Sequence, residues 1–478
     1  YPLRRQLQMC IRDRLTFVGG NMSELLRQLQ QYAITKSDQP AVIIDDETVT
    51  YHEICLLINQ NKKTMTSIPK GVRVALCHHN ALKNIIDYLT LLSLDCVPCL
   101  LDSKWSLKMI RELMNTYHIP FHNMENEISK VSAVKLTSIK DNPTNILHIG
   151  FTSGTTGLPK AYYRNEPSWI VSFEQNEMLM QRQEKIFVAP GPLSHSLSLY
   201  ACIYALYTGR TFIGQNHFNS IQLIDKLNTI QLPTAMFLVP TMLHQLLSNH
   251  DMPTCLSSIF SSGAKLNKHM FYKLKEQLSH VNLIEFFGTS EASFISYNLN
   301  QSAPESSVGK LFSNVDYQIK NKDEEGIGRL YVRSNMTFSG YVNDENELHD
   351  YQWISTGDYA HIDEKQCLYL RGRVGSRLII GGKNVYPAKI ESEVTKIHGI
   401  NEAIVIGQQH DKFGEIAVLL YTGDIELDYR QLKTYLMNKI DRYEIPSKIK
   451  KVTKMSYTRS GKISRFEMEK RWNTGELK

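Results

Sequence analysis

No stretch of the 478 residues approaches the roughly 20 continuous apolar positions that a membrane-spanning helix needs. Any membrane role would therefore be peripheral. A second cysteine pair at zinc-ligand spacing is missing too. Among eight cysteines the only close pair is Cys96-Val-Pro-Cys99, which sits in the apolar run Leu94 to Leu101 and reads as buried strand rather than a redox or metal motif. Scattered thiols without the apolar core of a secretion signal suit a reducing, cytoplasmic compartment. An excess of one charge is equally scarce: 54 Lys and Arg stand against 48 Asp and Glu, a net +6. Four arginines (Arg4, Arg5, Arg12, Arg14) against Asp13 put +3 of that into residues 1–21. The rest is nearly balanced, with no basic stripe interleaved with aromatics, so nucleic acid is not an implied partner. There is no internal repeat and no low-complexity linker, so any domain boundary must be a short hinge.

Residues 1–21 show no sustained periodicity and are expected to be a non-native or disordered extension. The fold is expected to start at Met22-Ser23-Glu24, where Leu25, Leu26, Leu29, Tyr32 and Ala33 share one helical face. A hairpin follows over Ala41–Tyr51, with Asp45-Asp46 at its turn. Strand patterns at Val72–Cys77, Cys96–Leu101, Ile146–Phe151, Lys185–Ala189, Ala235–Val239 and Leu283–Phe287 then alternate with helical ones. The helices are expected at Asn80–Leu92, Ser198–Tyr207, Ile221–Asn228, Thr241–Leu247 and Lys268–Leu278. Such alternation predicts an α/β fold of mostly parallel sheets covered on both faces by helices. From about Gly328 the texture turns β-rich and glycine-rich, at Gly328–Arg333, Trp353–Tyr359 and Cys367–Arg371. About 100 final residues predict a small α+β domain of three strands and two helices. The expected division is 22–374 for the large domain and 375–478 for the small one.

The most informative local pattern is Thr152-Ser153-Gly154-Thr155-Thr156-Gly157-Leu158-Pro159-Lys160, directly after an apolar strand. Two glycines let backbone approach a ligand, four hydroxyls add donors and Lys160 adds a mobile cation, which together suit a polyphosphate. The spacing is not that of a Walker loop. Further along stand Ser262-Gly263-Ala264, Phe286-Phe287-Gly288-Thr289-Ser290-Glu291, Ser355-Thr356-Gly357-Asp358 and Gly372-Arg373. Gly381-Gly382-Lys383-Asn384-Val385-Tyr386-Pro387 and Ser460-Gly461-Lys462-Ile463-Ser464-Arg465 follow.

In this order the set resembles the signatures of the adenylate-forming superfamily, which includes acyl- and aryl-CoA synthetases, peptide-synthetase adenylation domains and luciferases. The overall pattern looks closest to long-chain fatty-acid–CoA ligases of staphylococci. The resemblance implies ATP, Mg²⁺ and coenzyme A as cofactors, and a two-step reaction through an acyl-adenylate. It implies that residues 152–157 bind phosphates, that Ser262, Gly263, Ala264 and Phe287 enclose adenine, and that Gly288, Thr289 and Ser290 continue the nucleotide site. It further implies that Glu291 binds Mg²⁺, a hard ion that prefers oxygen ligands. Asp358 would accept from the ribose hydroxyls and Arg373 would serve ribose or phosphate. Lys160 would assist pyrophosphate departure, and Gly381 and Gly382 would belong to the thiol-entry motif. Lys462 would bridge the substrate carboxylate, the ribose and the α-phosphate, where a cation stabilises developing charge. The small domain would be a mobile lid.

Two positions depart from the family pattern: Ser456 replaces a proline, and Gly375 stands where a pivot Asp or Lys is usual. Glycine there implies an easily traversed hinge, at which Asp should be tolerated. No Asp or Glu occurs between Lys185 and Ile224, where peptide synthetases commonly hold the substrate ammonium. A buried ammonium without a partner is costly, so an α-amino acid is disfavoured. His195 matches a histidine near the carboxylate pocket of acyl-CoA synthetases, and a fatty acid is the expected substrate. Two alternatives remain open at this point: a ligase loading an acyl carrier protein, and a catalytically weak relative that binds nucleotide or acyl group as a sensor.

Overall fold

The computed structural model describes residues 23–477 except 125–126, 132–145, 153–157, 182, 250, 264, 267, 343–347, 349–350 and 458–462. Residues 1–22, with the expected start at Met22, lie outside the described residues. The chain divides into two compact units, one running to Val315 and including Arg333–Gln352, the other comprising Asp316–Val332 and Trp353–Lys478.

In the first unit, a nine-stranded sheet is ordered Lys310–Leu311, Ser293–Leu299, Asn282–Thr289, Leu256–Ser261, Thr234–Leu238, Ile186–Val188, Thr211–Gly214, Pro40–Ile44, Glu47–Thr50. The run from Asn282–Thr289 to Pro40–Ile44 is parallel, and the flanking pairs are antiparallel. Buried runs such as Thr234–Leu238 form its interior because strands covered on both faces need no polar alternation. One face carries the aliphatic core around Val188, Met236, Ile259 and Leu283. The aromatics Phe187, Tyr204, Phe237 and Phe260 cluster together, with Phe187 edge-on to Tyr204 and Phe237, and Phe237 and Phe260 parallel at 4.6 Å. A six-stranded sheet, ordered Glu127–Lys130, Phe121–Met124, Arg73–Leu76, Val97–Leu100, Ile146–Thr152, Lys160–Asn165, has parallel central pairs and antiparallel edges.

The expected helices are present at Glu24–Thr35, Ala81–Ser93, Ser196–Thr208, Ser220–Ile230, Pro240–Asn249 and Lys268–Gln277. Ser23 and Asn80 cap the first two by accepting from Leu26 and Lys83 amides. The hairpin turns at Asp45, φ 49°. Cys99 is buried in its strand, where desolvation pushes the thiol up to about 12.

The second unit holds a four-stranded sheet, Asp316–Lys320, Gly328–Arg333, Ile354–Ile362 and Leu368–Arg373. Its second sheet contains Leu378–Ile380, Lys383–Val385, Ile400–His410, Gly414–Gly423 and Lys448–Lys451, with helices at Pro387–Val394, Tyr429–Leu436 and Arg465–Asn473. Strand alternation splits Ile400–His410 and Gly414–Gly423 between two cores: Val405, Ala417, Leu419 and Tyr421 on one face, Ile404, Ile406, Val418 and Leu420 on the other. The expected three strands and two helices are corrected to five and three among the described residues. Two of the five are only three residues long, around a glycine turn. The last helix, RFEMEKRWN, buries only Met468 and Trp472, too few positions to announce a periodicity.

Candidate active site

Parallel strands deliver their C-terminal ends to one edge of a sheet, and the chain leaves each strand there. In the first unit that edge gathers Pro190–His195 after Ile186–Val188, Ser262-Gly263 after Leu256–Ser261, and Gly288–Glu291 at the end of Asn282–Thr289. The Ser262 amide donates to the Leu238 carbonyl at 3.3 Å, and Gly263 turns with φ +92°. Glu285 braces this turn, its Oε1 accepting from the Leu266 amide at 2.9 Å, and burial raises its pKa. Phe286 packs on Phe294 at 4.5 Å. Strand alternation therefore sends Phe287, expected at the adenine, to the opposite face.

Glu291 lies in the turn between Asn282–Thr289 and Ser293–Leu299. Thr289 pairs with Ser293, and the Thr289 hydroxyl accepts from the Ala292 amide at 3.0 Å. Gly288 is required beside it, because a Cβ there would stand 2.0 Å from the Ser293 carbonyl oxygen. The Glu291 carbonyl accepts from the Phe338 amide at 2.7 Å, and its Oε1 accepts from the Tyr341 hydroxyl at 2.8 Å.

The expected phosphate loop spans a hairpin whose stem is Ile146–Thr152 and Lys160–Asn165, with Thr152 opposite Lys160. Behind this stem, the fully buried Arg164 guanidinium donates to the carbonyls of Ser290 and Met336 and to the Ser168 hydroxyl. Desolvation lowers it to about 10. Tyr162 is also buried, and its phenol is raised by burial. Arg164 thus joins this hairpin to the Glu291 turn. The sequence did not signal this role, since nothing in Ala-Tyr-Tyr-Arg states what a strand's inward side chains meet.

His195 precedes the helix Ser196–Thr208 and is half exposed. Its Nε2 stands 3.8 Å from Asp102 Oδ2, at the end of the neighbouring sheet's strand Val97–Leu100. The imidazole is the largest cause holding the Asp102 carboxyl below its usual range. Asp102 was invisible to motif reasoning because it lies 93 positions away from His195 in the sequence.

In the second unit, Asp358 and Arg373 face each other on antiparallel strands. Arg373 Nη1 donates to both Asp358 oxygens at 3.1 and 3.2 Å and to the Thr356 carbonyl at 2.8 Å. Asp358 is buried while the Arg373 side chain is largely exposed. After Arg373 the chain turns, the Ser376 amide donating to the Arg373 carbonyl at 3.0 Å, with Gly375 at φ +94°. The expectation that Asp is tolerated at Gly375 is corrected for this conformation, since a side chain is strained at that φ even though the space around it is open. Gly381 and Gly382, at φ +59° and +79°, make the two-residue turn between Leu378–Ile380 and Lys383–Val385. They line a cavity of about 580 Å³ with Lys412, Phe413 and Glu415. Asp323 anchors the motif's far end, accepting from the Tyr386 hydroxyl at 2.9 Å. Ser153, Gly154, Thr155, Thr156, Gly157, Ala264 and Lys462 lie outside the described residues.

A family model described as AMP-binding enzyme matches residues 117–342, and one described as AMP-binding enzyme C-terminal domain matches residues 389–462. VraA of Staphylococcus epidermidis, named as a long chain fatty acid-CoA ligase, is 48% identical over 456 residues, covering 95% of this chain and 100% of the relative. o-Succinylbenzoate CoA synthetase of Bacillus subtilis, in complex with its acyl-adenylate, shares the fold with a TM-score of 0.80 at 21% identity over 92% of this chain and 97% of that one. The same synthetase with ATP and magnesium gives 0.79 at 20% identity over 92% and 99%. No helix among the described residues is long and apolar enough to cross a membrane.

Proposed function

The chain belongs to the AMP-binding enzyme family, and from that premise we propose that it is an ATP-dependent acyl-CoA synthetase acting on a fatty acid. A carboxylate oxygen attacks the α-phosphorus of ATP and pyrophosphate leaves, giving an acyl-adenylate. The thiol of coenzyme A then attacks the acyl carbon and AMP departs. The observation that carries the reading is the gathering of Pro190–His195, Ser262-Gly263 and Gly288–Glu291 at the C-terminal edge of one parallel sheet, with Lys160 tied to Glu291 through Tyr341.

Each group has a role that its setting suits. Glu291, a carboxylate at a turn, fits Mg²⁺, which takes one or two carboxylates and fills its remaining positions with phosphate oxygens and water. When bound, that ion screens phosphate charge. Lys160, exposed at the hairpin stem, is placed to follow the leaving pyrophosphate. Phe287 and Ser262-Gly263 flank the adenine. Asp358, already an acceptor, takes the ribose hydroxyls, and Arg373 adds forked donors beside it. Lys462 supplies the cation for the charge that develops at the α-phosphate. His195, steadied by Asp102, stands near the acid's carboxylate. Residues 375–478 act as the lid. The VraA relative supports a long-chain fatty acid, and the seven described cysteines, all unbridged, suit the reducing cytoplasm.

The test is magnesium-dependent ATP–pyrophosphate exchange across a panel of carboxylic acids. Exchange should appear with medium- and long-chain fatty acids, and coenzyme A should then release the product. Exchange confined to α-amino acids, or product release only on an acyl carrier protein, would overturn the assignment.

A further inference from the structure

Resting on the adenylate-forming reading above, we propose that Tyr341 is a positioning residue that holds the Glu291 carboxylate and the Lys160 ammonium as one preset pair for magnesium and polyphosphate. Three backbone bonds dock its segment on the phosphate hairpin: Ser339 amide to Tyr163 carbonyl at 3.0 Å, Tyr163 amide to Gly340 carbonyl at 2.9 Å, and Val342 amide to Ala161 carbonyl at 2.9 Å. Gly340 turns between them with φ +113°, a conformation that suits glycine. A fourth bond, from the Phe338 amide to the Glu291 carbonyl, fixes the other side of the segment. Tyr341 thus stands opposite Tyr162 in an antiparallel bridge, with the Phe338 ring edge-on against it at 5.0 Å.

The side chain then does two things at once. Its hydroxyl donates to Glu291 Oε1 at 2.8 Å, and its ring lies 5.5 Å from Lys160 Nζ, within cation–π reach. Opposite charges of this kind, left to themselves, collapse into an ion pair that incoming magnesium and phosphate must break. An aromatic ring on one and a hydroxyl on the other hold each charge in place without letting them neutralise. The carboxylate keeps a fixed orientation, with one oxygen engaged by a neutral donor that a metal can outcompete.

Two variants and two independent readouts test this. Tyr341→Phe keeps the ring on Lys160 and removes the hydroxyl. Tyr341→Leu removes both. The half-saturating Mg²⁺ concentration for ATP binding, measured by calorimetry at fixed ATP, should rise about fivefold in Tyr341→Phe, the scale of one lost hydrogen bond to a charged, partly exposed group. The carboxylate KM in pyrophosphate exchange should not change. Tyr341→Leu should also weaken ATP binding at saturating Mg²⁺, by about tenfold in all. If Tyr341→Leu fails to fold, Tyr341→Phe alone decides the matter. An unchanged Mg²⁺ requirement in Tyr341→Phe overturns the proposal, as does a carboxylate KM that moves in parallel. If the wild type binds magnesium-ATP but exchanges pyrophosphate with no carboxylate, the functional reading falls, while the calorimetric result on Tyr341 still stands.

Discussion

Glu291 in the first unit and Asp358 in the second are the two acids proposed to serve the nucleotide, as metal ligand and ribose acceptor, and they are held by opposite means. Asp358 sits within a strand, and antiparallel register places Arg373 directly opposite it. The stretch from Ile354 to Arg373 carries that geometry in its own ladder. Glu291 sits in a turn, and what holds it comes from far along the chain: Tyr341 on its carboxylate, Phe338 on its carbonyl, Arg164 on the carbonyl of Ser290. A ribose acceptor needs a rigid, permanent acceptor. A metal ligand needs an orientation that survives while its partners are exchanged. Local register suffices for the first demand, whereas the second draws on side chains recruited across the fold.

Removing Lys462 should give the largest effect. Lys462→Ala should lower adenylation by two to three decades, about 3–4 kcal/mol, while thioester formation from supplied acyl-adenylate is nearly spared. Equal loss in both half-reactions would mean that the second unit acts as general support rather than step by step.

Acid should weaken the first unit's arrangement through His148. His148 faces Arg164 on the hairpin of Ile146–Thr152 and Lys160–Asn165, and burial lowers its imidazole from the ordinary 6.5 to about 3. The unfolded chain binds that proton near pH 6.5 and the folded one does not, so the stability is complete above 6.5 and lost as pH falls toward 3. At pH 5 the loss is about 2 kcal/mol. Urea midpoints measured at pH 7 and pH 5 should converge in His148→Gln, which keeps a hydrogen-bonding partner for the Tyr88 hydroxyl but does not titrate.

Asp358→Asn comes next. It should raise the ATP KM about tenfold, near 1.4 kcal/mol, and leave the carboxylate KM alone. Its effect on melting should be small, because the ion pair it weakens has a largely exposed arginine. A large drop in melting temperature would contradict the idea that the ladder, and not the pair, sets this site. The smallest effect is expected at Gly375. Gly375→Ala should cost about 1 kcal/mol of stability at φ +94°, with denaturant midpoints as the measure.

Much of the fold was legible because its signals are local. The six expected strands of the large domain all form, and Asn80 caps the helix it was expected to open. The helix Tyr51–Thr64 went unanticipated although Thr50-x-x-Glu53 is a complete capping box ahead of Ile54, Cys55 and Ile58. The adjoining hairpin pattern simply masked it. Tyr341, Asp102, Arg164 and Glu285 are different. Each is an ordinary residue in its own stretch and gains its place only from a partner distant in the chain.

The sequence by itself determined the alternation of strands and helices, the glycines at turns whose positive φ disfavours a side chain, and the ordered motifs that mark the family. Periodicity, φ and capping are properties of neighbouring residues, so they can be read without the fold. Tertiary structure alone decided that Tyr341 joins Lys160 to Glu291, that Asp102 meets His195, and that the buried Arg164 guanidinium carries the Ser290 turn. Those contacts depend on which strand ends share an edge, and sheet order is set by packing over the whole unit rather than by any one segment.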